Sequence, residues 1–164
     1  MEELVIREAA ESDLDAIREI FNYSIEHSTC IYRTEPETRE ERLSWFEKHH
    51  PPFFATVAVL EGRVAGWASL SHYRPGNAYD GTAEDSVYIH RDFQRRGIGR
   101  RLMEDLIRRV REAGFHSIIA VISADQTPSI RLHERFGFKE AGRLLEVGRK
   151  YDRLLDVVHM QLML

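Results

Sequence analysis

Ser86-Val87-Tyr88-Ile89-His90-Arg91-Asp92-Phe93-Gln94-Arg95-Arg96-Gly97-Ile98-Gly99-Arg100 is the stretch from which the fold can be read. Val87, Tyr88 and Ile89 favour a strand, and past the glycines Leu102, Met103, Leu106, Ile107 and Val110 recur at helical spacing. Between them lies a basic turn whose Gly97 and Gly99 place no side chain between the backbone and another molecule. The first N–H groups of a helix have no internal partner and sit at the positive end of its dipole, so such a turn binds anions. Arg95, Arg96, Arg100 and Arg101 add full charges around it. The implied ligand carries phosphate, and this many donors suit a diphosphate.

The nucleoside-triphosphatase order Gly-x-x-x-x-Gly-Lys-Ser/Thr is absent, as is the dinucleotide order Gly-x-Gly-x-x-Gly. What stands is Gln94-x-x-Gly97-x-Gly99, after a strand and before an amphipathic helix. In that setting it resembles the acyl-CoA pyrophosphate loop of the Gcn5-related N-acetyltransferases (GNAT).

On the N-terminal side, two β-rich runs from Phe53 to Leu60 and from Arg63 to Tyr73 flank Glu61-Gly62, a tight hairpin signal. Arg74-Pro75-Gly76-Asn77 breaks the second run. Thr38-x-x-Glu41 predicts the cap of a short helix, tied to the core by Leu43 and Phe46 and stopped before Pro51-Pro52. Before it, His27 to Pro36 has no period and reads as a loop. An earlier helix carries Leu14, Ile17, Phe21 and Ile25, with Ser12-Asp13-Leu14-Asp15 as its capping box, and a short strand holds Leu4 and Ile6. On the C-terminal side, the glycine-turn helix ends at Gly114. Ser117 to Ile122 is a continuous apolar strand, Thr127-Pro128 starts a helix with Thr127 as cap, and that helix stops at Gly137. Strands from Gly142 to Val147 and from Leu155 to Leu164 complete the pattern.

The predicted order β-α-α-β-β-β-α-β-α-β-β is that of the same acetyltransferase fold: α/β (α+β), with a mixed, mostly antiparallel sheet of about seven strands and four helices. The expectation is one acetyltransferase domain over residues 1–164. With 43% hydrophobic and 30% charged residues the composition is that of an ordinary globular chain. No apolar run approaches a membrane span and no signal peptide opens the chain, which points away from a membrane. A net charge of −4 argues against a general nucleic-acid binder despite the arginine cluster. One cysteine, Cys30, cannot form an internal disulfide, and a cytoplasmic location is expected. No histidine spacing suits a metal.

Four separated blocks narrow the resemblance: Ala78–Glu84, Ser86–Ile89, Ser129–Phe138 and Leu155–Leu162. They are similar to the phosphinothricin and methionine sulfoximine N-acetyltransferases. The resemblance implies acetyl-CoA as cosubstrate, held by Val87, Tyr88, Ile89, Arg95, Arg96, Gly97, Ile98, Gly99, Arg100, Gln126 and Ser129. It places a small amino-acid-like acceptor near Arg74, Tyr79, Glu84 and Asp85, bordered by the first two helices and their loop. It also implies a homodimer.

Transfer of an acetyl group from a thioester to an amine needs a neutral amine, a donor for the developing oxyanion and a proton for the thiolate. A free backbone N–H on the strand at Val87–Ile89 could serve the oxyanion. The resemblance gives the base role to Glu84; the alternative is a surface glutamate. It places His133 where many acetyltransferases carry a tyrosine that protonates the thiolate; the alternative is a packed histidine that only touches CoA. Arg74 offers a planar fork for a carboxylate, or is a solvated loop residue. The sequence departs from the branch at Gln126 (usually Asn), Gly81 (an aromatic), Arg149 (Tyr) and Leu154 (Trp). The rival readings are the same fold acetylating a protein N-terminus or lysine, and a non-catalytic acyl-CoA-binding module.

Overall fold

The computed structural model describes residues 3–164. Seven strands form a single sheet: β1 (Val5–Glu8), β2 (Phe54–Leu60), β3 (Arg63–His72), β4 (Thr82–Ile89), β5 (Ser117–Ser123), β6 (Lys139–Lys150) and β7 (Arg153–Met163). Their spatial order is β1-β2-β3-β4-β5-β7-β6. Every neighbouring pair is antiparallel except β4 and β5, which are parallel. Four helices cover it: α1 (Leu14–His27), α2 (Arg39–Glu47), α3 (Ile98–Glu112) and α4 (Thr127–Arg135).

The two faces follow from the period-two alternation of strand side chains. Leu70, Ala83, Ile118 and Met160 join Leu102, Met103, Leu106 and Val110 of α3 in the larger core. On the other face, Trp67 and Val57 pack with Leu14 and Ile17 of α1, and with Trp45 and Phe46 from α2. The hairpin between β2 and β3 turns at Glu61 and Gly62 with φ of 55° and 69°, the left-handed pair whose twist suits the flanking strands.

Several local expectations change. α1 is not capped by Ser12 and Asp15; the chain enters it through a 3₁₀ turn, Glu11–Asp13. The Asp13 carboxylate accepts from the Ala10 N–H at 2.8 Å and from both terminal nitrogens of Arg7 at 2.7 and 2.9 Å. The Thr38–Glu41 box forms as predicted, with reciprocal bonds of 3.2 and 2.8 Å. Leu43, however, is exposed, and the buried residue of α2 is Arg42. Its guanidinium lies over the rings of Phe21, Trp45 and Trp67, with Nε 2.6 Å from Glu37, so aromatic faces and one carboxylate replace water. Gln126, not Thr127, occupies the cap position of α4. Strands β6 and β7 run longer than their apolar cores suggest.

One feature of the sheet positions the site. β4 and β5 pair only at Thr82–Ser117, Ala83–Ile118 and Glu84–Ile119. Beyond Glu84, β4 stays bonded to β3 and β5 to β7, so their facing edges part into a wedge. Backbone N–H and C=O groups on those edges need partners from outside the sheet.

Candidate active site

At the wide end of the wedge, β4 runs into a 3₁₀ turn, Arg91–Phe93, fixed by the buried Phe93 ring. The chain then reverses through Arg95 (φ 63°) and Gly97 (φ 79°) into α3. Both values lie in the left-handed region, where only glycine is free of steric cost. The two glycines of the turn differ. A Cβ on Gly97 would meet nothing within 4 Å, so its open side leaves room for a phosphate against the first N–H groups of α3. A Cβ on Gly99 would point inward and meet Leu132 at 3.4 Å and Ile89 at 3.8 Å. A Cβ on Gly99 would thus rest in ordinary contact with α4 and β4, on the inner side of the turn and away from its open side. Ile98 is buried, which leaves only its backbone facing the turn. Arg95, Arg96 and Arg100 are exposed; Arg96 lies 3.4 Å from Glu61 and Arg100 2.8 Å from Glu104.

The narrow end of the wedge carries the carboxylates. Glu84 is the last residue of β4 paired with β5 and sits half-buried on the α1/α2 face, where burial, and the Asp85 charge behind it, push its pKa up against the opposing charge of Arg74. Asp85, the next residue, points through to the other face. Its side chain is 1% exposed and accepts from His133 Nε2 at 3.0 Å. Asp85 is thus not an acceptor contact. Val87 and Ile89 pack on the larger core and Tyr88 on Trp67 and Phe21, so all three present only backbone to the wedge.

His133 also departs from expectation. Its Nδ1 lies 2.7 Å from the Ser129 carbonyl and its Nε2 is taken by Asp85, so neither ring nitrogen is free to meet a thiolate. Burial alone would favour the neutral ring, but the bond and charge of Asp85, with the Ser129 carbonyl, hold the His133 pKa above its ordinary value. The pair ties α4 to β4 just past the point where β4 and β5 separate.

Arg74 leads the β3–β4 connection and lines an open groove with His72, Tyr73, Asn77 and Asp80. Tyr79 stands edge-on to Tyr73 at 5.6 Å and does not line that groove. Gln126 donates its side-chain amide to Thr29 Oγ1 at 2.8 Å, and Thr29 in turn donates to Asp125. This draws in the loop between α1 and α2, which sequence left without structure. The Tyr32 hydroxyl donates toward Ser123 Oγ (2.8 Å) and the Asp156 carbonyl (2.9 Å). Lys150 Nζ, almost fully buried, donates to the carbonyls of Ser28 (2.7 Å) and Ile31 (2.9 Å). No motif marks Thr29, Tyr32 or Lys150. Among the departing residues, Arg149 and Leu154 face each other across the β6–β7 hairpin beside Lys150, and the Gly81 carbonyl accepts from His116 and Ser117.

The sequence pattern of the acetyltransferase (GNAT) family matches residues 17–138. The chain belongs to that family. It is accordingly an N-acetyltransferase. It is 37% identical over 161 residues to an L-methionine sulfoximine/L-methionine sulfone acetyltransferase from Pseudomonas paraeruginosa, covering 96% of this chain and 92% of that one. Among solved structures it is similar to a GNAT superfamily phosphinothricin acetyltransferase from Sinorhizobium meliloti in complex with AcCoA. That match has a TM-score of 0.94 and 33% identity, and covers 98% of this chain and 88% of the other. It is equally similar in fold to a ribosomal-protein-alanine N-acetyltransferase from Brucella melitensis, with a TM-score of 0.95, 39% identity and coverage of 98% and 100%. The wedge and the open side of Gly97 are what this GNAT chain offers a narrow, amide-bearing ligand that ends in phosphates.

Proposed function

We propose that the whole chain acts as one acetyl-CoA-dependent domain that acetylates the α-amino group of a small amino-acid analogue such as phosphinothricin or methionine sulfoximine. The observation that carries this reading is Glu84: a half-buried carboxylate with a raised pKa, at the vertex of the wedge and within the field of Arg74. Gly97 and the first turn of α3 hold the diphosphate, with Arg95, Arg96 and Arg100 supplying charge. The unpaired edge of Asp85–Ile89 pairs with the amides of the pantetheine arm, and one of its N–H groups receives the oxyanion. Ser129 and Gln126 border that arm from the start of α4.

Glu84 takes a proton from the incoming ammonium, since an α-amino group titrates near ~8 and is mostly charged at neutral pH. The amine attacks the thioester carbonyl directly, and the second proton of the attacking nitrogen passes to the departing thiolate. His133 contributes by position: with Asp85 it fixes α4 against the open arm of β4. Arg74 receives the acceptor's carboxylate from the groove, with Tyr79 beside it.

The reading includes a cytoplasmic homodimer. Leu144, Leu145, Val147 and Leu154 are all at least half exposed along β6 and its neighbour β7, an apolar strip that supports self-association. No helix among the described residues is long and apolar enough to cross a membrane. A second reading, acetylation of a protein N-terminus, is favoured by the openness of the Arg74 groove and the Brucella likeness.

One assay separates them. Turnover of acetyl-CoA is measured with methionine sulfoximine, phosphinothricin, their carboxamides and an alanine-initiated peptide. The free acids should be the fast acceptors and the carboxamides slow. Equal rates for acids and carboxamides would move the assignment to peptides, and no turnover with any amine would leave an acyl-CoA-binding module.

A further inference from the structure

We infer that Tyr32, seated on the bare backbone of Gly148, is the positioning residue that fixes the α1–α2 loop over the acceptor side of the wedge. The inference rests on the reading of the Glu84 face as the acceptor side. On that face α1 and α2 pack on β2, β3 and β4 through Val57, Trp67 and Tyr88. The loop between them, residues 28–37, reaches the other half of the sheet through Lys150 on β6, Ser123 on β5 and Asp156 on β7. Counted on from the Glu84–Ile119 pair, Tyr88 and Ser123 face each other across the parted edges. The Tyr32 hydroxyl holds the Ser123 side. Cys30, two positions earlier, lies within electrostatic reach of the Tyr88 hydroxyl, as Glu84 does. The loop thus spans the gap between the two arms.

Gly148 makes room for that span. The β6–β7 register shifts between Leu144 and Gly148, after which Gly148 stands opposite Leu155, on the same face as Lys150. A Cβ at Gly148 would come within 2.6 Å of Tyr32 Cδ2 and 3.2 Å of its Cζ. The first distance is shorter than side chains tolerate, and an aromatic ring is rigid, so the whole ring would have to lift. The backbone makes no such demand, since Gly148 is not among the glycines with a left-handed φ. It is the ring, not a turn, that requires glycine here.

The hydroxyl completes the arrangement. Ser123 Oγ gives its hydrogen to Asp125 at 2.8 Å, which leaves its lone pairs to accept from Tyr32, also at 2.8 Å. The Asp156 carbonyl stands at 2.9 Å as a second acceptor. The Tyr32 residue is 40% exposed, so hydrophobic burial alone does not hold it; contact with Gly148 and these acceptors does. Lys150 grips the Ser28 and Ile31 carbonyls on either side of Cys30. Lys150 therefore fixes the backbone of the segment, and Tyr32 fixes where it lies across the sheet. Lifting the ring carries Cys30 away from Tyr88 and loosens the wall that faces an acceptor approaching Glu84.

The test uses the full chain with acetyl-CoA and methionine sulfoximine at pH 7. Gly148→Ala should raise the acceptor KM about tenfold, the scale of a modest overpacking penalty, with kcat and acetyl-CoA affinity unchanged. Tyr32→Phe keeps the ring on Gly148 and loses only the hydroxyl, so KM should rise about threefold, as for one lost hydrogen bond. In a Tyr32→Ala background, Gly148→Ala should cost nothing more, because no ring is left to displace. Hydrogen exchange should quicken at the amides of residues 28–37 in Gly148→Ala, with or without substrates. An unchanged acceptor KM in Gly148→Ala overturns the inference, even where exchange quickens. So does a penalty of the same size in both backgrounds, the signature of a defect local to β6. If Gly148→Ala does not fold, Tyr32→Phe decides alone, an unmutated KM counting against. Normal activity in Glu84→Gln would instead remove the reading of that face as the acceptor side, while the exchange result would still stand.

Discussion

The phosphate turn and the α1–α2 loop both border the open end of the wedge, and they are built by opposite means. The turn makes its site from consecutive residues, Gln94 to Arg100, and their own backbone. The loop, residues 28–37, is held by Ser123, Asp125 and Lys150, between 91 and 122 positions away along the chain, while Tyr151 donates to the Ile25 carbonyl in the last turn of α1. On the proposed reading, the cofactor side is thus local and the acceptor side assembled. A locally encoded site cannot drift far while the turn survives, whereas an assembled one can be retuned by any of several distant residues. Arg149 and Leu154, which depart from the resembled branch, sit on the same hairpin that supplies Lys150 and Tyr151.

The largest expected effect tests whether the chemistry belongs to the assembled side. Glu84→Gln should slow acetylation by ~10²–10⁴-fold at neutral pH while acetyl-CoA affinity stays as it was. Because burial raises the Glu84 pKa, the unmutated rate should fall as pH drops through that raised value. The deficit of the variant should shrink at high pH, where free amine is plentiful. A normal rate at pH 7 with a normal CoA affinity would break the division of labour.

A smaller effect separates the two glycines of the turn. Valine at Gly97 meets both the cost of a left-handed φ, roughly 1–2 kcal/mol, and the loss of room for a charged hydrogen bond worth about 1.5–3 kcal/mol. Calorimetry should show acetyl-CoA binding weakened about 100-fold, the equivalent of ~2.7 kcal/mol, in a protein that still folds. Gly99→Ala should change binding little, since its Cβ meets Leu132 at an ordinary contact distance. Equal losses at both positions would mean that the turn fails as a whole, not at an open phosphate seat.

The same contrast governs what could be read in advance. Element order, the hairpin at Glu61-Gly62, the Thr38 cap and the anion turn follow from neighbours within four residues, and all appear in the structure. Helix entry at Asp13, the burial of Arg42 and the occupancy of both His133 nitrogens each depend on a partner from elsewhere: Arg7, the Phe21 and Trp67 rings, and Asp85. Glu84 and Asp85 were both expected beside the acceptor, but strand alternation turns them to opposite faces and Asp85 is taken by His133.

Lys150 gives a third, intermediate effect. Lys150→Met leaves the Ser28 and Ile31 carbonyls without their charged donor, and a buried acceptor left unpaired costs about 1–3 kcal/mol. Denaturant unfolding should show a loss of that size. Acceptor KM should rise through a loosened loop, with acetyl-CoA affinity unchanged. A matching loss of CoA affinity would show that the loop serves both sides of the wedge.

The smallest expected effect is electrostatic and tests the tether at Asp125. Burial alone would raise the Asp125 pKa, but donors from Ser123 and Thr29 and the charge of Arg153 together hold it below the usual carboxylate range. A carboxylate depressed in the folded state stabilises the fold above its unfolded pKa of ~3.9, and that contribution disappears as pH falls through the folded value. The side chain is about a third exposed, so solvent screens part of it, and ~1 kcal/mol is a fair scale for what Asp125→Asn removes at pH 7. Thermal unfolding of the two proteins should therefore differ at neutral pH and converge below about pH 4. A gap that persists in acid would trace to the geometry of the amide and not to charge. No gap at pH 7 would leave the loop to Lys150 and Tyr32, making the acceptor side depend on the β6–β7 hairpin and on β5 without the cap region of α4.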